Sequence, residues 1–318
     1  MLNDFSFAAL AGQPKVKNLL ARTLGSGRMP HAYLFRGPDG VGKKFAALLT
    51  AARINCAAPD DYSGCGTCSS CRKLRSGNHP DVVIVSPDKG SIKIDRVREL
   101  CRSLSFPPYE SVMRVVIIED VHAMTTEAGN SLLKTLEEPP ENNLLILTAE
   151  SSRELLPTIV SRCQTLMFYG LSVGECARVI GQKLPEIGLD EARLLAELAG
   201  GSPGTALTLN NKELVGRYRA VVKVVETASA VGVDGVTPVL ETAAALAALK
   251  EDLPLMLGLL RMWVRDLMTE GDHIEIDIQK RRLAALDRAQ RQLDRNCNST
   301  LVSEVLLFNL QSPVAEVF

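Results

Sequence analysis

Gly37-Pro-Asp-Gly-Val-Gly-Lys43-Lys44 lies between an apolar run, Ala32-Tyr-Leu-Phe35, and a helix-like run from Phe45 to Ala58. It follows the phosphate-loop pattern G-x-x-x-x-G-K-[ST] up to its last position. In that pattern the glycines let backbone N–H groups curl round phosphates and the lysine reaches the outer phosphates. The final hydroxyl holds Mg²⁺. Gly37, Gly40, Gly42 and Lys43 are in place, but Lys44 stands where the hydroxyl belongs. The strand-before, helix-after context fits a phosphate loop whose metal anchor is missing. The N–H groups and Lys43 still offer an anion site at the helix start.

Working outward, the first half of the chain alternates short branched-apolar runs with helix-like ones, the mark of a parallel sheet flanked by helices. The strands expected are Ala32–Arg36, Val82–Ser86, Val115–Glu119, Leu144–Thr148 and Thr165–Phe168. Their near-continuous apolar character suits strands buried on both faces. The third ends in Glu119-Asp120, two acids at a strand end, as a phosphoryl-transfer site uses to hold Mg²⁺ and orient water. The usual order is Asp then Glu. The swap lengthens one arm by a methylene and shortens the other, and a misplacement of about 1 Å can cost roughly a hundredfold in rate. The fold class expected is therefore an α/β phosphate-loop domain, here 1–168.

A small helical unit is expected over 169–210. Ser172 caps a helix through Lys183, Asp190 caps a second through Ala199, and Gly200-Gly-Ser-Pro-Gly204 breaks the pattern before a short helix, Thr205–Leu209. From 211 to 318 only helical periodicity remains, in runs such as Leu240–Leu249, Leu255–Met268 and Lys280–Leu293. Arg281, Arg288, Arg291 and Arg295 share one helical face. Such a stripe can meet DNA or an acidic partner, but as a rule it is a solvated face.

Cys56, Cys65, Cys68 and Cys71 form a compact cluster, whereas the other four of the eight cysteines are scattered singly. Four thiolates can close a tetrahedral zinc site with no open position, which staples structure rather than catalyses. An iron–sulfur cluster is the competing reading, without the C-x₃-C-P continuation of ferredoxin runs. Met1-Leu-Asn-Asp-Phe has no positive region followed by an apolar stretch. No run reaches the roughly 18 apolar residues of a membrane span. A reducing, cytoplasmic setting is thus expected, where clustered cysteines hold metal. Basic and acidic residues nearly cancel, 36 against 37, which argues against a chain that coats nucleic acid by itself. Aromatics at 4% are too few for a base-stacking platform.

Together these features resemble the δ′ branch of the clamp-loader subunits of bacterial DNA polymerase III, within the AAA+ class. The resemblance rests on His31-Ala-Tyr-Leu-Phe-Arg-Gly-Pro-Asp-Gly-Val-Gly-Lys43, the four-cysteine insertion and the strand at Val115. It also rests on Asn130-Ser-Leu-Leu-Lys-Thr-Leu-Glu-Glu-Pro-Pro140, Leu156-Pro-Thr-Ile-Val-Ser-Arg-Cys163 and Gly200-Gly-Ser-Pro-Gly204.

Such a family implies an AAA+ domain, a helical lid and a helical collar within a five-membered ring. It implies γ/τ and δ subunits as partners, with the sliding clamp and primed DNA met through the complex. It implies that Arg162, which by itself reads as a surface salt-bridge residue, is an arginine finger acting in trans. Thr148 falls near the family's sensor-1 position, and Gly204 stands where the sensor-2 motif carries arginine. The loop, the acids and sensor 2 all depart from an active ATPase in the same direction. The chain is expected to help load the clamp without polymerase or ATPase activity of its own. An active ATP-hydrolysing motor subunit, with ATP and Mg²⁺ in the loop, is the alternative.

Overall fold

The computed structural model describes residues 4–60, 62–150, 155–227, 233–270 and 273–311. The chain divides into two compact units, Met1–Thr205 and Ala206–Phe318. The first unit is built on five strands: β1 (Ala32–Arg36), β2 (Val82–Val85), β3 (Arg114–Ile118), β4 (Asn143–Ala149) and β5 (Gln164–Met167). All pairings are parallel, in the order β2-β3-β4-β1-β5. Each expected strand is present, β1 with the expected ends and the others with ends shifted by at most one residue.

Parallel neighbours need crossovers, and helices supply them. α1 (Pro14–Ser26) precedes β1, and the crossovers in chain order carry α2 (Lys43–Ile54), α3 (Ser69–Ser76), α4 (Ile94–Leu104), α5 (Thr126–Glu137) and α6 (Pro157–Val160). Alternate strand residues feed two cores. Tyr33, Phe35, Val115, Ile117, Leu144 and Ile146 face the layer that includes Leu20 and Leu49. Leu34, Val116, Ile118, Leu145 and Leu147 face Val97, Leu100, Leu132 and Leu136. Burying one such side chain contributes about 1.5–3 kcal/mol. The central strands are anchored from both sides, so the loops at their ends start from fixed points.

α2 ends at Ile54, short of the expected Ala58, because Asn55 turns away. Its side-chain amide donates to the Met113 carbonyl at 2.9 Å and accepts from the Met113 N–H at 3.2 Å. Three further helices follow: α7 (Val173–Lys183), α8 (Leu189–Leu198) and α9 (Pro203–Asn211). Ser172 caps α7 in a reciprocal capping box with Glu175, as expected. Asp190 does not cap α8. The N-cap is Gly188, and Asp190 lies in the first turn beside Glu191, where negative charge complements the helix dipole.

The described residues of the second unit contain helices and no strand: α10 (Leu214–Thr227), α11 (Val233–Ala247), α12 (Leu253–Glu270), α13 (His273–Asp294) and α14 (Ser299–Gln311). α11 packs on α14, α12 on α13 and α13 on α14. Arg282 lies over the Trp263 ring at 5.4 Å and donates to the Leu310 carbonyl at 2.7 Å. Arg281, Arg288 and Arg291 on α13 are exposed, as is Arg295 just past its end.

A buried carboxylate fixes the turn into β3. Asp81 is 0% exposed. It accepts from the N–H groups of Tyr109, Glu110 and Ser111 at 2.6, 2.9 and 3.0 Å. Burial alone would raise its pKa, but these donors outweigh burial and hold the carboxyl below its ordinary value. Asp81→Asn should cost about 1–3 kcal/mol at neutral pH. A depressed native pKa contributes stability above the unfolded value, about 3.9, and loses it as pH falls through the folded value. The stability gap between wild type and variant in urea melts should therefore be flat near pH 7 and close below about pH 4. Equal stability at pH 7 would refute the anchoring role.

Candidate functional site

The phosphate loop is shaped by its glycines. Gly40 and Gly42 have φ of +71° and +101°, conformations that side chains rarely adopt. Gly37 is held by close approach instead, since a Cβ there would lie 2.4 Å from the Phe168 carbonyl oxygen. Gly42 is the N-cap of α2, so Lys43 and Lys44 are its first residues.

A cleft of about 500 Å³ opens here, lined by Asp39, Gly40, Gly42, Lys43, Lys44, Phe45, Leu48, Glu119, Asp120 and Thr148. The fold thus brings the loop, the two acids and Thr148 round one cleft. Gly37 lies just behind, and Arg162 is not among the lining residues.

The cleft's two lysines are already paired with acids. The Lys43 side chain is 7% exposed and turned inward. It donates to the carbonyls of Gly37 and Pro38, both at 2.7 Å, and to Asp39 at 3.2 Å. Lys44 reaches Glu119 Oε1 at 2.8 Å. Ser86 donates to the other Glu119 oxygen. Both oxygens of the strand-end acid are therefore engaged, one of them by the residue that replaced the metal-binding hydroxyl. Asp120 sits at φ +50°, and its N–H donates to Thr148 Oγ1 at 3.1 Å. Burial, then the neighbouring Asp39 charge, pushes the Asp120 carboxyl above its ordinary value. A divalent ion at Lys44 would meet repulsion of about 4 kcal/mol for each pair of unit charges 4 Å apart at an effective dielectric of 20.

Motif reading missed the contact that covers the loop. Ser202 Oγ donates to the Asp39 carbonyl at 2.5 Å, and Gly204 N–H donates to the Gly40 carbonyl at 3.0 Å. A Cβ on Gly204 would stand 2.6 Å from Gly40 Cα. The glycine at 204 thus does more than omit an arginine, because it lets the start of α9 lie directly on the loop. In the sequence this glycine-rich stretch reads only as a break before a short helix, whereas in the fold Gly201 and Gly204 lie against the backbone of Leu171 and Gly40.

The four cysteines form a separate centre. Their sulfurs lie within 4.8 Å of one another, with Cys56 and Cys71 buried. None is in a disulfide. N–H groups of Cys65 and Cys68 donate to the sulfurs of Cys56 and Cys65 at 3.0 and 3.3 Å. Hydrogen bonds from the Thr67 hydroxyl and N–H lead those that lower the Cys65 thiol to about 5, whereas burial raises Cys56. Zn–S bonds of about 2.3 Å place tetrahedral sulfurs roughly 3.8 Å apart, so a small contraction would close this set on one ion. The four residues fit a metal.

Two other polar groups have structural explanations. His79 Nδ1 accepts from the Asp81 N–H at 3.2 Å, so its Nε2 carries the hydrogen and points at Ser70 Oγ, 3.0 Å away. That imidazole cannot act as a base on Ser70. Arg162 donates to Glu137 Oε1 at 2.5 Å, to the Thr158 carbonyl at 3.0 Å and to Ser161 Oγ at 3.3 Å. Among the described residues no helix is long and apolar enough to cross a membrane.

A family model described as "DNA polymerase III, delta subunit" matches residues 12–172, about half of the chain. DNA polymerase III subunit delta′ of Bacillus subtilis is 38% identical over 216 residues, 67% of this chain and 64% of that one. DNA polymerase III subunit tau of Escherichia coli is 33% identical over 213 residues, 66% of this chain and 33% of that one. The matched regions thus leave over a third of the first relative and two thirds of the second uncovered. A DNA polymerase III gamma subunit-related protein of Thermotoga maritima superposes with a TM-score of 0.50 at 19% identity, covering 92% of this chain and 98% of its own. At that identity the likeness concerns the fold.

Cys71→Ser removes one buried sulfur of the cluster. The variant should lose bound metal and melt at a lower temperature than wild type. Retention of one equivalent of metal, read by elemental analysis, would contradict the four-sulfur assignment.

Proposed function

The chain belongs to the DNA polymerase III delta-subunit family, and on that footing we propose that it is a δ′-type subunit of a replicative clamp loader that serves a neighbour's nucleotide site without turning over nucleotide itself. One observation carries this reading: Lys44 is paired to Glu119 at 2.8 Å, so the metal-holding hydroxyl is gone and the metal-holding acid is occupied by the residue that replaced it. The inward-turned Lys43 and the α9 start lying on Gly40 agree with it. The competing reading, an ATP-hydrolysing motor, would have to break the Lys44–Glu119 pair and seat a divalent ion beside an ammonium.

In this proposal residues 1–168 form the AAA+ domain, 169–210 the lid and 211–318 a collar that joins a ring. An apolar stripe supports the collar role. Leu301, Val305 and Phe308 on α14 are 60%, 44% and 40% exposed, at helical spacing on one face. The partners are γ/τ and δ subunits, and the complex brings the chain to the sliding clamp and primed DNA in the cytoplasm. The four-cysteine centre holds structural zinc. Opening and placing the clamp draws on ATP bound by the motor subunits, and this chain contributes Arg162 to one of their sites.

An arginine finger is worth about 10³–10⁵ in rate at the site it serves. Arg162→Ala should leave the ring assembled, as judged by size-exclusion chromatography, and remove that one site's share of DNA-stimulated ATP hydrolysis. An assembled variant ring with the wild-type rate would end the finger assignment.

A further inference from the structure

The contact that holds Arg162 in this chain has a consequence for the site it would serve. Its guanidinium takes one ionic partner, Glu137, and two neutral ones on its own helix-turn, Thr158 and Ser161. Three of its five N–H donors are thereby used. Glu137 is the last residue of α5, and Pro139-Pro140 follow its C-cap, Glu138. A carboxylate at a helix C-terminus faces the negative end of the helix dipole, an unfavourable place unless a cation is near. Lys134 lies in the same last turn, and Arg162, two residues past the end of α6, adds a directly bonded cation across 25 residues of sequence.

We infer that Glu137 is a positioning residue that parks the Arg162 guanidinium on this chain's own surface and releases it only in competition with a polyphosphate on the adjacent subunit. This rests on the reading of Arg162 as a finger acting in trans.

Magnitude decides the direction of the effect. The two side chains are 33% and 49% exposed. A pair that wet holds its partners by a factor of up to about five. A nucleoside triphosphate carries several charges and matches the planar guanidinium fork in bidentate fashion, so it outcompetes a single carboxylate. The parked state then acts as a modest tax. Only the released fraction of arginines can engage, and the neighbour's apparent catalytic efficiency is lowered by that fraction. Glu137 touches neither substrate nor reacting atoms in this scheme and acts only through Arg162.

The test is steady-state ATP hydrolysis by the reconstituted ring, with this chain as wild type, Glu137→Gln, Arg162→Ala or both. Glu137→Gln should raise about two- to fivefold the share of kcat/KM that Arg162→Ala removes. The gain should vanish in the Arg162→Ala background, because the effect travels through that arginine. A merely structural role for Glu137 would not increase kcat/KM and would not depend on Arg162. Unchanged or lowered kcat/KM in Glu137→Gln, with Arg162→Ala still defective, would overturn the parking role and leave the finger intact. The same would follow if the gain persisted in the double variant. Wild-type hydrolysis by Arg162→Ala would instead overturn the finger and the parking role together.

Discussion

An ammonium stands where a phosphate loop ordinarily offers a hydroxyl to magnesium, and it is tied to the acid that would share that metal. The Lys44–Glu119 pair is partly exposed, with side chains 51% and 15% accessible, so it adds at most about 1 kcal/mol to stability. Its weight lies elsewhere. It neutralises the strand-end carboxylate and places positive charge where a divalent ion would sit. The neighbouring features follow the same direction. Lys43 is satisfied by loop carbonyls and Asp39. The start of α9 rests on Gly40 with no side chain between. A loop whose cations are matched internally and whose roof lies on it is suited to holding shape.

That constraint ties the three regions of the first unit together. The two-sided cores fix the ends of β1, β3 and β4, and those ends carry the loop, the acids and Thr148. Arg162 lies on a different element, after α6, where it is held by α5 through Glu137. The chain therefore separates a cleft whose lysines are paired within it from an outward-facing cation held by a partly exposed ion pair. In the proposed ring, the first gives rigidity and the second gives dependence on a neighbour.

Much of this was legible in the sequence because it is written in local pattern. Branched-apolar runs marked all five strands, since strands buried on both faces leave no polar alternation to confuse. The cysteine spacing marked a four-sulfur cluster that fits a metal, since steps of three residues bring sulfurs round one turn. Lys44 and the Glu119-Asp120 order could be read by comparison with the motif itself. What stayed hidden is long-range. No local pattern says that Ser202 donates to the Asp39 carbonyl, that Gly204 needs its missing Cβ because of Gly40, or that Glu137 meets Arg162. The expected cap at Asp190 failed for a local reason. Acidic residues favour both the N-cap and the first turn, and the residue type alone does not separate them.

The most direct measurement is a calorimetric titration of the purified chain with ATP, in the presence and absence of Mg²⁺, with turnover followed in parallel. If Lys44 and Glu119 have replaced the metal, any binding will be indifferent to Mg²⁺ and no hydrolysis will appear. Affinity that tightens with Mg²⁺, with turnover abolished by Lys43→Ala, would contradict the account and make the chain a motor in its own right.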